Sequence, residues 1–333
     1  MHERVGEVVA MPDKLKADLV LEGGGVKGIG LLGAVLVLAE AGYRFQRIAG
    51  TSAGAIVAAL VAAYQKDGRD LRELVEVMHD LDYGRFADEP WPQRVTGSVG
   101  DVTAAVRHGG AHSGDYLTEW LIPLLADAGV HTFADLRISD HGGTLADHQK
   151  YSLVVHASDL TRRALVRLPW DYAQYDLDAD EQRVADAVRA SMSIPFYFRP
   201  VQVETPRGTA TWVDGGLLAN FPITVFDRTD GAVPRWPTWG VRLSGQPAEG
   251  TDRPIRTVSG IAVSCLRTLT GDWNRYQLDG DGVNNRTIFV DTMRISATDF
   301  DLSTQDQQAL FDNGQAAGHM FLDRLTPEHR IAG

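Results

Sequence analysis

Residues 18–64 read DLVLEGGGVKGIGLLGAVLVLAEAGYRFQRIAGTSAGAIVAALVAAY. Short strands are predicted at 18–21 and 45–49, and each is followed by a glycine-containing turn. A longer apolar segment comes after each turn, the first at 28–41 and the second, rich in alanine, up to about residue 64. Such alternation is typical of parallel strands joined by helices that cover both faces of a sheet. The expected fold class is therefore α/β with a mostly parallel central sheet.

The rest of the chain continues this alternation. Further strands are predicted at 151–157, 209–213, 239–243 and 287–290, and helices at 184–192 and 306–325. Residues 69–130 are expected to be mainly helical, with an irregular middle at 89–100. We expect a single domain at 17–326, with an N-terminal extension at 1–16 and a C-terminal tail at 327–333.

Composition and charge exclude several classes of protein. The 333 residues carry a formal net charge of -12, so repulsion from phosphates argues against a nucleic-acid partner. The single cysteine, Cys265, excludes an internal disulfide, which fits a reducing compartment. No apolar run reaches the roughly 18 residues of a membrane span, and the charged N-terminus lacks a signal-peptide stretch. We expect a cytoplasmic protein whose contact with membranes is at most peripheral.

A nucleophile motif stands between the second predicted strand and the helix after it. It reads Gly50-Thr51-Ser52-Ala53-Gly54, which matches the G-x-S-x-G pattern of a serine on a sharp strand-to-helix turn. Small neighbours allow the strained turn, and the following helix points its positive dipole end at the serine hydroxyl. The alternative is that Ser52 merely caps the helix. The flanking strand and helix favour the catalytic interpretation.

A glycine-rich loop follows the first predicted strand. It comprises Gly23, Gly24, Gly25, Val26, Lys27 and Gly28. Consecutive backbone N–H groups in such a loop bind anions, either a nucleotide phosphate or the oxyanion of an acyl-transfer intermediate. The phosphate-binding P-loop pattern fails on both sides of Lys27, and the dinucleotide pattern lacks its acidic ribose partner, because Glu40 lies within a helix.

An acid motif ends the strand predicted at 209–213. It reads Asp214-Gly215-Gly216, and its carboxylate can reach a serine at a neighbouring strand end. Asp-Gly is also a common turn sequence, so this motif alone is weak. A serine–histidine–acid triad needs a histidine in a late loop, but after the acid only His319, in a helical pattern, and His329, in the tail, remain. His156 lies within a predicted strand. A dyad without histidine fits the sequence better.

Neither a metal nor a cofactor is expected. The sequence Asp279-Gly280-Asp281-Gly282 starts like a calcium-binding EF-hand loop. Val283 and Val290 occupy positions at which that loop needs polar or acidic ligands, so the interpretation fails.

Taken in order, the three motifs resemble those of the patatin-like phospholipase family. The resemblance runs from about residue 18 to residue 226, and further segments that share it lie at 113–117, 132–136, 158–160, 190–198 and 220–223. It implies a three-layer α/β/α fold, an oxyanion loop at 23–28 with Lys27 in its usual basic position, and a Ser52–Asp214 catalytic dyad.

The expected reaction is hydrolysis of a fatty acyl ester, of the phospholipase A or lysophospholipase type, through an acyl-enzyme on Ser52. Asp214 would act as the base, and N–H groups of about Gly24, Gly25 and Val26 would stabilise the oxyanion. The expected partner is a phospholipid or another acyl-ester lipid. An acyltransferase and a non-catalytic lipid-binding protein on the same fold remain as alternatives. Product analysis separates the first, and the intact Ser52 and Asp214 argue against the second.

Overall fold

The computed structural model describes residues 15–86, 110–140, 142–244, 281–293, 295–297 and 299–325. Most of the N-terminal extension, the segment at 89–100, Cys265, the start of the rejected calcium motif and the C-terminal tail lie outside the described residues. The single-domain division at 17–326 therefore stays a prediction.

Ten strands and eight α-helices occur in this part of the chain. The strands are β1 (Leu15–Leu21), β2 (Tyr43–Thr51), β3 (Gly110–His112), β4 (Leu153–Asp159), β5 (Ala164–Leu168), β6 (Phe196–Phe198), β7 (Val201–Thr205), β8 (Gly208–Asp214), β9 (Thr238–Ser244) and β10 (Thr287–Asp291). The helices are α1 (Gly28–Glu40), α2 (Ala53–Asp67), α3 (Glu73–His79), α4 (Asp115–Asp127), α5 (Val184–Ser191), α6 (Gly216–Ala219), α7 (Asp281–Asn284) and α8 (Thr304–Arg324).

The main sheet has the strand order β10-β9-β1-β2-β4-β8-β7, and β5 pairs with β4 outside this path. The five strands from β10 to β4 run parallel, whereas β8, β7 and β5 pair antiparallel with their neighbours. Helices flank the sheet, so the prediction of an α/β fold with a mostly parallel sheet is confirmed. The carboxyl ends of β1 and β2, which are adjacent, meet at one edge, and that edge carries both the glycine loop and Ser52.

Helix α1 packs closely against the C-terminal helix α8. A Cβ atom added at Gly33 would lie 2.3 Å from the carbonyl oxygen of Phe311, so only glycine allows this approach. The apolar segments identified in the sequence are thus buried where the pattern predicts. Every residue from Gly28 to Leu38 is buried, which explains why the segment is apolar on all sides.

The observed elements differ from the predicted ones mainly in the antiparallel part of the sheet. Strands β5 and β7 were not predicted, because both are short and partly exposed, and β7 interleaves polar residues with apolar ones. In β7 this gives an alternation of Val201, Gln202, Val203 and Glu204 without a long apolar run. The short strands β3 and β6, which pair with each other, were also missed.

Candidate active site

Ser52 occupies the single residue between β2 and α2. Its backbone has φ 53° and ψ -125°, a left-handed conformation that is strained for any residue other than glycine. The turn is sharp because its flanking glycines touch: a Cβ atom at Gly50 would lie 2.2 Å from the carbonyl oxygen of Gly54. One at Gly54 would lie 2.5 Å from the carbonyl oxygen of Leu21 in β1. The motif therefore forms the predicted strand-to-helix turn.

The hydroxyl of Ser52 donates a hydrogen bond to the carboxylate of Asp214, with 2.7 Å between Oγ and Oδ2. The second carboxylate oxygen, Oδ1, accepts from the N–H of Gly216 at 2.7 Å. Both side chains lie in a buried site, with Ser52 4% and Asp214 3% exposed. The structure thus brings together the serine and the carboxylate that the sequence singled out.

Strand β4 lies between the strands that carry these two residues. Its His156 pairs with Thr51 of β2, and its Ala157 pairs with Asp214 of β8. Because β8 runs antiparallel to β4, its last residue comes level with the first residue after β2. This register explains how a bond can form between side chains that are two strands apart.

Burial raises the pKa of Asp214 from its ordinary value of 3.8 to about 6, although the hydrogen bonds from Ser52 and Gly216 act in the opposite direction. The carboxylate is therefore ionised at neutral pH and accepts a proton more readily than an exposed aspartate. A general base works best when its pKa lies near the working pH.

No histidine of the described residues hydrogen-bonds to Ser52 or Asp214. His156 is fully buried, with Nδ1 3.4 Å from the carbonyl oxygen of Gly50. Its Nε2 has no hydrogen-bond partner among the described residues. Desolvation lowers the pKa of His156 to about 4, so the ring is neutral at neutral pH. His319 is exposed on α8, and His329 lies outside the described residues.

The glycine loop lies directly beside the serine, since a Cβ atom at Gly23 would be 3.2 Å from Cβ of Ser52. Three of its N–H groups have internal acceptors. Gly23 donates to the carbonyl of Asn220 at 3.0 Å, Val26 to that of Ala297 at 3.2 Å, and Lys27 to that of Gly24 at 3.3 Å.

The N–H groups of Gly24 and Gly25 have no acceptor in the part of the chain that the structure describes. Of the three N–H groups that the sequence suggested as oxyanion donors, that of Val26 already has an acceptor, so those of Gly24 and Gly25 are the better placed ones, and the oxyanion loop stays a prediction. Gly25 has φ 58° and touches the backbone of Ala297, so it also shapes the turn. Gly28 begins α1.

The ion pair between Glu22 and Arg242 holds the start of this loop against β9. Glu22 accepts from the N–H of Leu243 at 2.6 Å and from Nε of Arg242 at 3.2 Å. Burial raises the pKa of Glu22 to about 7, against the opposing effect of Arg242. Burial shifts the pKa of Lys27 in the opposite direction and lowers it, while the nearby Glu22 acts to raise it. Lys27 makes no ion pair with the described residues.

Sequence reasoning missed three side chains that touch the site. The hydroxyl of Ser191 accepts from the N–H of Ser52 at 2.9 Å, and the sulfur of Met192 lies 3.4 Å from Oγ of Ser52. Nδ2 of Asn220 donates to the carbonyl of Gly23 at 3.1 Å. Their segments were noted only through the family resemblance. Nothing local in the sequence identifies these contacts, because each joins positions more than a hundred residues apart.

The described residues contain no group of three or more histidine, cysteine, aspartate or glutamate side chains placed to hold a metal ion. In the same part of the chain, no helix is both long and apolar enough to cross a bilayer.

The site thus has a hydroxyl bonded to a buried carboxylate, next to unpaired N–H groups, which are components that acyl transfer requires. A profile of the patatin-like phospholipase family matches residues 19–227. The uncharacterized protein YqhO of Bacillus subtilis (strain 168) is 36% identical over 309 residues, which cover 93% of this chain and 99% of that protein. The chain belongs to the patatin-like phospholipase family, a class of lipid hydrolases that act on acyl esters.

The chain was also compared with solved structures. VipD from Legionella pneumophila gives a TM-score of 0.50 at 18% identity, over 94% of this chain and 67% of VipD. A chain of the heterodimeric ExoU–SpcU complex from the type III secretion system of Pseudomonas aeruginosa gives a TM-score of 0.47 at 18% identity, over 95% of this chain and 52% of that one. At such identities, the likeness to VipD concerns the fold alone.

Proposed function

We propose that this protein hydrolyses fatty acyl esters of lipids, in the manner of a phospholipase A or lysophospholipase, through a Ser52–Asp214 dyad. The observation that carries the proposal is the 2.7 Å hydrogen bond between Oγ of Ser52 and Oδ2 of Asp214 in a buried site. A serine that merely capped α2 would bond to the helix backbone, but Ser52 makes no such side-chain bond.

The first half of the reaction forms an acyl-enzyme. Oγ of Ser52 attacks the ester carbonyl carbon while Asp214 takes the hydroxyl proton. The carbonyl oxygen becomes an oxyanion, which accepts hydrogen bonds from the N–H groups of Gly24 and Gly25. When the intermediate collapses, the ester C–O bond breaks and Asp214 returns its proton to the departing alcohol. The fatty acyl group is then bound to Ser52.

The second half releases the acid. Water enters, Asp214 takes one of its protons, and the resulting hydroxide attacks the acyl carbon. Collapse of the second tetrahedral intermediate breaks the bond to Oγ, and the proton on Asp214 returns to Ser52. The carboxylate thus serves twice as base and twice as acid. Its pKa of about 6 suits both roles better than the ordinary value of 3.8 would.

Glu22 and Lys27 affect the position and the electrostatics of the loop that would bind the oxyanion. Glu22 ties the start of the loop to β9 through Leu243 and Arg242. Lys27 brings a positive charge near the same backbone, since its Cε lies 3.6 Å from the position of a Cβ atom on Gly24. A cation there favours the negative charge that develops on the substrate.

The test is incubation with phospholipids, lysophospholipids and neutral lipids in water enriched in oxygen-18, followed by mass spectrometry. Hydrolysis predicts free fatty acid that carries the heavy oxygen, and Ser52→Ala should abolish it together with labelling by a fluorophosphonate probe. Acyl products joined to another alcohol would identify an acyltransferase instead. A folded wild-type protein that binds lipid vesicles but gives neither products nor labelling would identify a non-catalytic lipid-binding protein.

A further inference from the structure

The backbone N–H of Ser52 has an acceptor that the reaction above does not explain. That acceptor is the hydroxyl of Ser191, the last residue of α5, at 2.9 Å. Ser191 is fully buried, and Ser52 is nearly so. The bond joins a side chain to a backbone 139 residues away in the sequence, so it is a feature of the tertiary structure rather than of the turn.

The conformation of Ser52 makes this contact important. A residue other than glycine with φ 53° is strained, and such strain persists only where the surroundings hold the residue in place. On its C-terminal side, Ser52 is held by α2, because its carbonyl oxygen accepts from the N–H groups of Ala55 at 2.8 Å and Ile56 at 3.4 Å. On its N-terminal side, the N–H of Ser52 lies just beyond the paired part of β2. The hydroxyl of Ser191 restrains the backbone at the strained residue itself.

The direction of the Ser52 side chain depends on this backbone. Rotation of the peptide group before Ser52 moves Cβ, and with it the hydroxyl that lies 2.7 Å from Asp214. A bond on the N–H therefore fixes where Oγ points. We propose that Ser191 is a positioning residue, whose hydroxyl holds the N–H of Ser52 so that Oγ stays aligned with the carboxylate of Asp214. This inference rests on the proposed function of Ser52 and Asp214.

The alternative role is structural, because any buried N–H needs a partner. Loss of the partner would then lower stability without changing the chemistry. The positioning role makes a further demand. The hydrogen bond from Ser52 acts to lower the pKa of Asp214, so loss of alignment should let that pKa rise. The acidic limb of the activity profile should then move to higher pH.

The test compares Ser191→Ala with Thr287→Val, both made in the full chain. Thr287 lies on β10, at the far edge of the sheet, and is also fully buried. Its hydroxyl donates to the carbonyl of Val283 at 2.7 Å. Both variants lose one buried hydroxyl, but only the first loses contact with Ser52. The measurements are thermal unfolding, kcat and KM on a soluble ester, the labelling rate with a fluorophosphonate, and the pH profile of kcat.

For Ser191→Ala we expect kcat and the labelling rate to fall by about tenfold to a hundredfold, which is typical of a misplaced catalytic group, with KM nearly unchanged. The acidic limb should shift to higher pH. Thr287→Val should keep the wild-type kcat and pH profile, whatever its stability. Ser191→Cys keeps a weak acceptor of similar size and should give intermediate values, and it decides the matter if the alanine variant does not fold.

A folded Ser191→Ala variant with wild-type kcat, labelling rate and pH profile would overturn the inference, as would such a Ser191→Cys variant if the alanine variant does not fold. So would a loss of activity that only matches the fraction of unfolded protein. Failure of the proposed function looks different: the wild-type protein would then show no esterase activity and no labelling, or Ser52→Ala would retain both.

Discussion

Replacement of Asp214 by asparagine should make the protein more stable and much less active. Asparagine has nearly the same shape, and its amide can still accept from the N–H of Gly216 and donate to the hydroxyl of Ser52. It cannot take a proton at neutral pH, so activity should fall by about a hundredfold to ten-thousandfold, as is typical of a lost general base. The stability gain follows from the charge that the substitution removes.

The magnitude comes from the pKa of Asp214, which burial raises from 3.8 to about 6. A group that binds its proton more tightly in the folded state loses stability as the pH rises through the folded pKa. Above about pH 6 the ionised, buried carboxylate therefore destabilises the fold by about 3 kcal/mol relative to a neutral group. The gain in Asp214→Asn should be full near pH 8 and vanish below about pH 4, where the wild-type carboxyl is protonated in both states.

The assay is urea unfolding of both proteins between about pH 4 and pH 8, with a matched control of opposite sign. Burial alone would raise the pKa of Asp135, but N–H groups of His131 and Thr132 outweigh it and hold the pKa below its ordinary value. Asp135→Asn should therefore lose stability near pH 8 while keeping activity. If Asp214→Asn is no more stable than wild type at pH 8, or if its gain does not depend on pH, the explanation by desolvation is wrong.

Three further changes test other parts of the site. Gly54→Ala should lower the free energy of unfolding by about 3 kcal/mol, because the new Cβ would lie 2.5 Å from a backbone oxygen in β1. The control Gly282→Ala, whose Cβ meets nothing within 4 Å, should not lower it, and equal urea midpoints would contradict this. Gly24→Ala should fold, since its Cβ meets side-chain atoms only, among which Cδ1 of Leu243 at 2.1 Å must shift. It should nevertheless lose at least about tenfold in kcat, because the same contact displaces a backbone N–H that binds the oxyanion in the proposed mechanism. His156→Gln should leave the acidic limb of the pH profile in place, because the ring, with its pKa of about 4, makes no hydrogen bond to Ser52 or Asp214; a shifted limb would implicate the ring.

The parallel half of the fold could be predicted from the sequence because its strands are buried on both faces. In β4 all seven residues are buried and five of them are apolar or small, so the strand stands out from its surroundings. Strand β7 is half-exposed and mixes polar with apolar residues, so it carries no such signal. The same reason explains why the acid strand β8 was found mainly through its apolar end and the motif that follows it.

The catalytic candidates were found because each needs special residue types in a short stretch. Their supporting contacts were not, because they depend on which segments meet in space. The carbonyl of Ala297, which occupies the N–H of Val26, comes from a segment that has no motif. Ser191 and Ser193 lie two positions apart and are both fully buried, so neither the local sequence nor burial identifies Ser191 as the residue that meets Ser52. The pKa of Asp214 likewise depends on burial that only the tertiary structure defines.

The order of the site residues along the chain has a consequence for the nascent protein. The glycine loop and Ser52 emerge from the ribosome early, but Asp214 is separated from Ser52 by 162 residues and ends a strand that pairs with β4. A nascent or prematurely ended chain that stops before β8 carries Ser52 without Asp214. Under the proposed mechanism, acyl transfer therefore becomes possible only after most of the chain has been made and the sheet has assembled.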